Sequence, residues 1–343
     1  MELEQQFLSL LGIVEGLQRR VYQLEEENKL LIRGQKQLLE WSEQNHQANM
    51  HFQDNIIYEL QDVLEHPKEG FYPKILAGEL AIDEIVTHGK SLARFGDGEF
   101  AAMEGRVRHR FQLEVEEELS QKLQEVLQSE EENLLIGIAD NYGSLEKYTE
   151  QAKREIRCYL NPFVRKEHLA LLKPEKIYYD AYVTRPYVMY QDNQTDAPKK
   201  RFENLKRIWE GRDCIFVEGC FTGLGVGNDL FDNAKSIQRI LGPAENAFSR
   251  YKELLESCKC QNKDVLFLLA LGPTATILAS DLCKLGYQAV DIGHIDLEYE
   301  WFLKGEGCRT LIERKYNNEM EIEQDLSPIE DPIYLNQIIA TLI

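Results

Sequence analysis

Leucine recurs every seven residues along the first forty positions of the chain. Heptad position d is then occupied by Leu3, Leu10, Leu17, Leu24, Leu31 and Leu38, and position a by Phe7, Val14, Val21, Asn28 and Gln35. This 4-3 spacing predicts a coiled coil over residues 1–48, and Leu at d with Val at a favours two strands. The polar Asn28 at an a position favours a parallel, in-register homodimer. The alternative is an amphipathic helix packed on the chain's own globular domain, because further apolar residues widen the stripe beyond a strict seam.

The heptad register stops in a polar run, SEQNHQANMHFQDN, at residues 42–55. This run predicts a hinge or a frayed segment. A second helical pattern covers residues 52–64 and is followed by His66-Pro67, where the residue before proline is pushed out of the helical region. Residues 49–70 are therefore expected to form a connecting helix and a linker.

From residue 71 onward, short β-rich runs alternate with helical ones. The expected strands are Ser91–Phe95, Leu134–Ala139, Lys176–Val183, Cys214–Val217, Ile237–Leu241, Val265–Leu271 and Ala289–Ile292, and the clearest helices are Val115–Leu127, Lys199–Glu210, Ala244–Cys258 and Thr274–Leu285. Apolar runs bounded by Gly, Asp and Pro are typical of a buried parallel sheet. The alternation predicts an α/β domain over residues 71–320, with a Rossmann-like, open, mostly parallel sheet whose ligand site lies at the carboxyl ends of the strands. Residues 321–343 are expected to form a tail that docks as a helix.

Charge and composition narrow the class of protein. The 343 residues include 39 Lys+Arg against 59 Asp+Glu, a formal net charge of −20, which argues against nucleic acid as a partner because a large basic face is missing. The same acidity should repel anionic lipid, so no direct membrane binding is expected. With 43% hydrophobic residues the chain can bury a sizeable core.

The N-terminus and the cysteines point to the cytoplasm. Glu2 and Glu4 stand where a signal peptide carries basic residues, and no apolar run approaches the length of a membrane span. The seven cysteines are odd in number, scattered, and include no C-x-x-C pair, so reduced thiols are expected and no zinc site is indicated.

The segment Arg94-Phe95-Gly96-Asp97-Gly98-Glu99-Phe100 follows the first expected strand. In an extended loop, Asp97 and Glu99 would project the same way, and the glycines would let a ligand approach the backbone. Two such carboxylates suit Mg²⁺ or Mn²⁺ carried with a diphosphate, and Arg94 is close enough to face a phosphate. Acidic-x-acidic pairs are common in so acidic a chain, and a solvated turn is the alternative.

Two glycine-containing segments each precede a helix. The first spans residues 218–231 and has four glycines, with Gly225, Gly227 and Asn228 as candidates for binding phosphate through backbone N–H groups. It matches neither a Walker A loop nor a G-x-G-x-x-G fingerprint, and a flexible turn explains it equally well. The second spans residues 271–276 and offers Gly272 and Thr274, for which a helix cap that binds nothing is the alternative.

Two further segments offer polar groups after strands. In an extended run over residues 291–301, Asp296, Glu298 and Glu300 would share one face beside His294, giving candidates for a general base or a metal ligand. A solvated edge explains the alternating acids as well. Arg185, followed by Pro186 and Tyr187, offers a guanidinium for a diphosphate, with a surface salt bridge as the alternative.

Taken in order, these segments resemble a known family. ARFGDGEF, TRPY, VEG followed by GVGNDLFDNAKSI, RILGP followed by NAF, LGPTATILASDL and DIGHIDLEYEW are similar to the bacterial glycosyltransferases of the GT-D fold, a former domain of unknown function whose characterised members glycosylate serine-rich adhesins. The resemblance covers residues 82–301 and leaves the coiled coil outside.

The resemblance implies transfer of a sugar from a nucleotide-diphosphate donor, typically UDP-glucose, with Mn²⁺ or Mg²⁺ held by the D-x-E motif, here Asp97 and Glu99. Asp296 or Glu298 is our hypothesis for the base, and His294 for a further metal ligand. Donor binding is assigned to Arg94, Phe95, Gly96, Arg185, Gly225, Gly227, Asn228, Gly272 and Thr274. The resemblance also implies an Arg after the Ser/Thr ahead of GVGNDLF, whereas Gly223 follows Thr222 here. If that Arg helps to bind the pyrophosphate, this chain uses another cation or binds its donor more weakly.

The sequence thus predicts a cytoplasmic, metal-dependent glycosyltransferase that acts on a glycan or glycoprotein and forms a homodimer. A scaffold that binds a nucleotide sugar without turning it over is the alternative from another class, and hydrolysis of the nucleotide sugar with water as acceptor is a third.

Overall fold

The computed structural model of the chain describes residues 2–65, 72–108, 112–312, 315–316 and 328–343. Two compact units divide the chain, residues 1–59 and residues 60–343. The described part of the first unit is helical, and the second holds the strands that the structure describes.

The N-terminal unit belongs to one uninterrupted helix, α1, over Glu2–Glu65. The hinge predicted for residues 42–55 is wrong, because a polar run without Pro or Gly weakens helix propensity but does not stop a helix. Within this run the Asn45 side-chain amide donates to the Trp41 carbonyl one turn back, at 3.1 Å. The predicted linker falls mostly on residues 66–71, outside the described residues. No helix in the described part of the chain combines the length and apolar character that crossing a bilayer requires.

The coiled-coil seam of α1 is uncovered within its own unit. Leu17, Leu24, Leu31 and Leu38, the described leucines at position d, are between 49% and 66% exposed. Exposed leucines at heptad spacing form a surface that a second helix covers in a coiled coil. The homodimer stays a prediction that a single chain does not test.

The second unit contains one open sheet of nine strands among the described residues, and every pairing in it is parallel. The strands are β1 Lys74–Leu76, β2 Ser91–Phe95, β3 Leu134–Ile138, β4 Ile177–Asp180, β5 Asp213–Gly219, β6 Ser236–Gly242, β7 Leu266–Ala270, β8 Gln288–Asp291 and β9 Ile338–Thr341. The seven predicted strands are confirmed with small shifts of their ends. The one predicted to reach Val183 stops at Asp180, whose side chain accepts a hydrogen bond from the Tyr182 N–H at 2.9 Å and starts a 3₁₀ turn.

The sheet order, β1-β4-β3-β2-β8-β7-β5-β6-β9, places the predicted ligand site. From β2 the chain proceeds through β3 to β4 toward one edge, whereas β5 leads to β6 toward the other. Connections that diverge in this way leave a crevice at the carboxyl ends of the central strands. The central strands are apolar because both of their faces are covered; Leu266 to Leu269 of β7, for example, are fully buried.

Helices connect the strands and cover both faces of the sheet. They are α2 Gly78–His88, α3 Asp97–Met103, α4 Glu117–Leu127, α5 Glu150–Tyr159, α6 Pro162–Leu171, α7 Ala197–Lys206, α8 Tyr251–Lys259, α9 Pro273–Lys284, α10 Ile295–Lys304 and α11 Pro332–Gln337. The four predicted helices correspond to α4, α7, α8 and α9. The helix expected from residue 244 begins at Tyr251, after Asn246 in the left-handed region (φ 51°) and a 3₁₀ turn.

The C-terminal tail differs from its prediction. Only Pro332–Gln337 is helical, and the chain then enters β9, which pairs with β6. Asp331 caps the short helix by accepting hydrogen bonds from the Ile333 and Tyr334 N–H groups. The β-branched residues that follow favour a strand, and they cover the otherwise open edge of β6. Residues 317–327 lie outside the described part of the chain.

Candidate functional site

A cleft of about 1000 Å³ lies at the carboxyl ends of the central strands. Ten of the predicted site residues line it, namely Arg94, Phe95, Gly96, Asp97, Glu99, Arg185, Gly272, His294, Asp296 and Glu298. Gly225, Gly227, Asn228 and Thr274 are not among its lining residues. The strand order thus brings together residues that lie two hundred positions apart in the sequence.

The two carboxylates of the D-x-E motif do not project the same way. The predicted extended loop is instead the first turn of α3, and Glu99 folds back so that its Oε2 accepts a hydrogen bond from the Gly96 N–H at 2.7 Å. Glycine has no side chain to complete a capping box, so this contact is the Glu99 half of one, and it favours the helix over an extended loop. Burial of the carboxylate raises the pKa of Glu99, with Asp291 adding to the effect and the Gly96 hydrogen bond opposing it.

Asp97 faces the cleft with a partly exposed carboxylate. Its Oδ1 accepts a hydrogen bond from the Gly98 N–H at 3.0 Å, and its Oδ2 pairs with Arg108 Nε at 2.5 Å. The Arg108 guanidinium also lies over the Tyr159 ring, 4.1 Å from its centroid. The Arg108 guanidinium therefore already pairs with the partly exposed carboxylate of Asp97.

The donor set around Asp97 fits a divalent ion that arrives with phosphates. Mg²⁺ and similar ions are commonly held by one or two carboxylates while substrate phosphates and water complete the shell. Among the described residues, no group of three or more His, Cys, Asp or Glu side chains could hold a metal by itself. His294 Nδ1 lies 3.3 Å from Arg185 Nη2. Asp97 is accordingly the residue best placed to contact such an ion, and Glu99 supports the turn that presents it.

Arg94 is held by the backbone around it. Its Nη2 pairs with Asp291 Oδ1 at 2.8 Å and its Nε donates to the Asp291 carbonyl at 2.9 Å. Gly293 is required here, because a Cβ at this position would lie 1.9 Å from Arg94 Nη2 and its φ of 47° disfavours other residues. Burial raises the pKa of Asp291, and Arg94 opposes that rise. Arg94 thus joins β2 to the end of β8. Its predicted contact with phosphate stays a prediction.

The acidic run after β8 is helical, which corrects the prediction of an extended segment. In α10, Asp296 and Glu300 are four residues apart and share a face, whereas Glu298 points elsewhere. Acids at every second position match a strand, but a spacing of four residues also matches one face of a helix. Burial of the apolar residues between the acids, such as Leu297 and Tyr299, favours the helix.

Asp296 holds the glycine-rich loop. Its Oδ1 accepts hydrogen bonds from the Gly225 N–H at 3.0 Å and from Asn228 Nδ2 at 2.9 Å, and its Oδ2 pairs with Lys315 Nζ at 2.7 Å. Glu300 Oε1 accepts from the same Asn228 and Lys315 side chains. Gly225 and Asn228 are therefore bound to Asp296, which lines the cleft, while they do not line it themselves.

Glu298 holds a second loop. Its Oε2 accepts hydrogen bonds from the Tyr187 and Val188 N–H groups at 3.0 and 3.1 Å, and the residue is 1% exposed. Both predicted bases are therefore buried carboxylates bound to backbone N–H groups. Their predicted role as a general base stays a hypothesis, while the role that the geometry gives them is to fix two loops of the cleft.

Thr274 lies in the first turn of α9 and is fully buried, whereas Gly272, just before it, lines the cleft. The Thr274 hydroxyl has no hydrogen-bond partner among the described residues. Thr276, two residues further along, donates a hydrogen bond from its hydroxyl to the Arg94 carbonyl at 2.8 Å. The N-terminus of α9 thus adjoins the cleft through its backbone rather than through the side chain of Thr274.

An aromatic and histidine chain in the cleft wall was not found by sequence reasoning. His168 stacks on Phe100 at a ring distance of 3.9 Å, and its two nitrogens lie 2.9 Å from Tyr142 Oη and 3.0 Å from Tyr159 Oη. Tyr159 Oη donates to the Asp97 carbonyl at 3.2 Å. This series of hydrogen-bonded side chains therefore ends at the backbone of Asp97, the residue whose carboxylate faces the cleft. The density of tyrosines between residues 142 and 190 is the one signal in the sequence, and it does not say which of them meet.

His168 is neutral at physiological pH. Burial lowers its pKa to about 3, with Arg106 adding to the effect and Asp97 opposing it. Because Tyr159 donates to the Asp97 carbonyl, its oxygen accepts from His168 Nε2–H, and Nδ1 then accepts from the Tyr142 hydroxyl. The neutral imidazole thereby acts as donor on one side and acceptor on the other.

The charges in the cleft wall are balanced, unlike those of the chain. Among the described residues, five arginines and six carboxylates line the cleft. The arginines that sequence reasoning missed are Arg106, Arg108 and Arg309, and each pairs with a carboxylate: Arg106 with Glu167 at 2.8 Å and Arg309 with Glu155 at 3.0 Å, besides Arg108 with Asp97. These pairs hold guanidinium groups in place around the opening.

Comparison with known proteins places this architecture in a family. The family described as Glycosyltransferase GT-D fold matches residues 92–320. Glycosyltransferase GlyD of Streptococcus pneumoniae serotype 4 is 35% identical over 285 residues, which is 82% of this chain and 34% of the relative. The probable glycosyl transferase Gly of Streptococcus gordonii is 35% identical over 270 residues, which is 78% of this chain and 39% of that protein. The chain thus spans little more than a third of the length of these relatives.

Solved structures share the fold. A glycosyltransferase (DUF1792) from Streptococcus sanguinis is 34% identical, with a TM-score of 0.74 that covers 79% of this chain and 100% of that one. A structure described as domain of unknown function 1792 with a distinct glycosyltransferase fold is 31% identical, with a TM-score of 0.73 over 85% of this chain and 100% of that one. With two thirds of its length matched by the family and a parallel sheet that superimposes on these structures, the chain belongs to the glycosyltransferases of the GT-D fold.

Proposed function

We propose that this chain transfers a hexose, with glucose as the first candidate, from a UDP-sugar to a glycan or glycoprotein acceptor, using Mn²⁺ or Mg²⁺. The observation that carries the proposal is the cleft at the carboxyl ends of the strands, where the Asp97 carboxylate is partly exposed among arginines. The relatives named as glycosyltransferases support the reaction class.

The charge balance of the cleft supports a metal-diphosphate ligand in particular. Each phosphate of a diphosphate carries negative charge, and a divalent ion compensates for it, so that the complex is nearly neutral. A wall with five arginines and six carboxylates suits such a complex better than it suits a free polyanion. When bound, the ion would neutralise charge on the departing diphosphate.

The chain's own residues would orient the donor. Asp97 would contact the ion, and Arg108, displaced from Asp97, would be available to the phosphates. Arg94 and Asp291 hold the ends of β2 and β8 in place, and Asp296 holds the loop that carries Leu224 into the cleft. Such fixed groups stabilise developing charge without having to reorganise during the reaction.

The proposal is tested by following UDP release from a panel of UDP-sugars in the presence of Mn²⁺, with and without saccharide and glycopeptide acceptors. We expect one UDP-sugar to be turned over, faster with an acceptor than without, and Asp97→Asn to lose at least about 100-fold of the rate, the scale of lost charge stabilisation in an active site. Binding without turnover would support the scaffold instead. Release that is independent of every acceptor would indicate hydrolysis.

A further inference from the structure

The last sixteen residues of the chain lie outside the family match, which ends at residue 320. Residues 328–343 nevertheless contact the glycine-rich loop, of which Thr222 and Leu224 line the cleft. We propose that this C-terminal segment, residues 328–343, is a positioning element for the donor: it sets the conformation of the loop at residues 219–228. The inference rests on the proposed function of the cleft and extends it to residues beyond the range that the family model matches.

The first contact is direct. The side chain of Ile329 occupies the space beside Gly223, where a Cβ would lie 2.6 Å from Ile329 Cδ1. Gly223 is also in the left-handed region, with φ 59°. Because residue 223 has no side chain, Ile329 of the C-terminal segment fills the space beside it.

The second contact runs through a buried ion pair. Arg239 of β6 donates to Gln337 Oε1 at the end of α11 through Nε at 2.7 Å, and the Tyr334 ring of the same helix lies 4.6 Å from the guanidinium carbon. Its Nη1 pairs with Glu218 Oε1 at 2.5 Å. Arg239 therefore contacts the C-terminal segment through Nε and Glu218, which precedes the loop, through Nη1.

The ion pair holds one residue of the loop from both sides. Arg239 Nη2 donates to the Leu224 carbonyl at 2.8 Å, and Glu218 Oε2 accepts from the Leu224 N–H at 2.8 Å. Leu224 lines the cleft, as does Thr222. Gln337 and Tyr334 therefore fix the guanidinium that fixes Leu224, so a change in the C-terminal segment is transmitted to the cleft over two contacts.

Strand β9 anchors this arrangement. Its pairing with β6 shifts register between Arg239 and Ile240, at the residue that reaches the loop. Beyond the strand, the Leu342 N–H donates to the Leu241 carbonyl at 2.7 Å. The segment is thus attached to the sheet on the C-terminal side of Gln337, which keeps α11 against Arg239.

The experiment compares Gln337→Leu with Gln337→Glu in the full chain. Gln337→Leu removes the acceptor for Arg239 Nε, whereas Gln337→Glu keeps an acceptor there. We expect Gln337→Leu to raise KM and Kd for the donor about five- to tenfold, the equivalent of one ordinary hydrogen bond, with kcat within about twofold of wild type. Gln337→Glu should retain wild-type donor affinity. Leu335→Ala, on the exposed face of the same helix, is the matched control and should change neither constant.

Ile329→Ala is a second variant that leaves the hydrogen bonds of Arg239 intact and should also raise donor Kd. Thermal unfolding of every variant establishes that it is folded under the assay conditions. Equal donor Kd in wild type, Gln337→Leu and Ile329→Ala would overturn the inference while leaving the proposed function standing. Wild-type protein that binds no nucleotide sugar would instead contradict the proposed function itself.

Discussion

Single carboxylates at or next to this cleft bind backbone N–H groups. Asp296, Glu298 and Glu218 each accept a hydrogen bond from the N–H group of a loop residue, and each is less than 3% exposed. Charge-assisted hydrogen bonds of this kind are about twice as strong as neutral ones. Two loops of the cleft are therefore fixed before any ligand arrives, which is the preorganisation that stabilising developing charge requires.

Asp296→Asn separates a positioning role from a catalytic one. Because Asp296 binds Gly225 and Lys315, we expect KM for the donor to rise about tenfold, consistent with loss of a charge-assisted contact, while kcat is largely retained. Steady-state kinetics give both constants. Glu300→Gln is the control, since Glu300 shares Lys315 and Asn228 but does not contact Gly225. A fall in kcat at unchanged KM would restore Asp296 as the general base.

His168 makes stability depend on pH. Its folded-state pKa is about 3, below the ordinary value of about 6.5. As pH falls from 6.5 toward 3, the unfolded chain binds a proton there that the folded chain does not, so the free energy of unfolding decreases. The slope from this group is at most about 1.4 kcal/mol per pH unit.

Urea unfolding of wild type and His168→Gln between pH 7 and pH 4.5 measures this effect. The stability advantage of wild type should shrink as pH falls. Asp180, whose pKa burial raises to about 6, changes stability in the opposite direction between about pH 4 and 6, but it does so in both proteins and cancels in the difference. A difference that stays constant with pH would mean that His168 has the same pKa in the folded protein as in the unfolded chain.

The residues of the cleft could be predicted only in part from the sequence. Asp97, Arg185 and His294 follow strands, and strand ends meet at one edge of a parallel sheet, so their convergence followed from the fold. The contacts of other cleft residues could not be predicted in this way. Arg108 pairs with Asp97, and Tyr142, Tyr159 and His168 meet through tertiary packing. No spacing in the sequence encodes such contacts.

At the scale of elements, buried strands were easier to predict than edge strands and helix starts. The central strands are continuous apolar runs, whereas β1 has three residues and β9 is half-exposed, so neither has a distinct pattern. The segments at α3 and α10 were misread as extended because acids two residues apart match a strand. The Gly96 N–H to Glu99 hydrogen bond and the burial of Ile295, Leu297 and Tyr299 favour helices.

The glycine-rich loop and the C-terminal segment fit each other at Gly223, and an alanine there tests the fit. Gly223→Ala should destabilise the protein by more than Gly211→Ala, because both positions have positive φ but only the methyl at residue 223 meets another side chain. The backbone cost alone is about 1–2 kcal/mol. In an Ile329→Ala background, the cost of Gly223→Ala should fall to that of Gly211→Ala. Urea unfolding measures the loss of stability in each background. An equal loss from Gly223→Ala in both would show that Ile329 does not pack against this loop.

At the scale of the whole molecule, a family domain is joined to a long helix that the family match does not include. The exposed leucines of α1 predict a homodimer, which would place two clefts on one assembly and raise their effective concentration on an acceptor with several sites.

Sedimentation equilibrium of the full chain tests the dimer. Wild type should be a dimer, and Leu24→Glu with Leu31→Glu, both at seam positions, should give a monomer. Tyr22→Glu with Leu30→Glu is the matched control: these residues are also about half or more exposed in the single chain but lie outside the seam, so the dimer should persist. A wild-type monomer, or dissociation by both pairs of substitutions, would argue for a different use of this helix.

Calorimetric titration of UDP and UDP-sugars into the full chain tests the central claim most directly. We expect one UDP-sugar to bind in the presence of Mn²⁺, and binding to weaken at least about tenfold in EDTA and in Asp97→Asn, since the ion and its carboxylate act together. Asp83→Asn removes a comparable exposed partner of an arginine, Arg207, outside the cleft and should bind like wild type. Wild-type protein that binds no nucleotide sugar with or without metal would contradict the assignment of this cleft as the donor site.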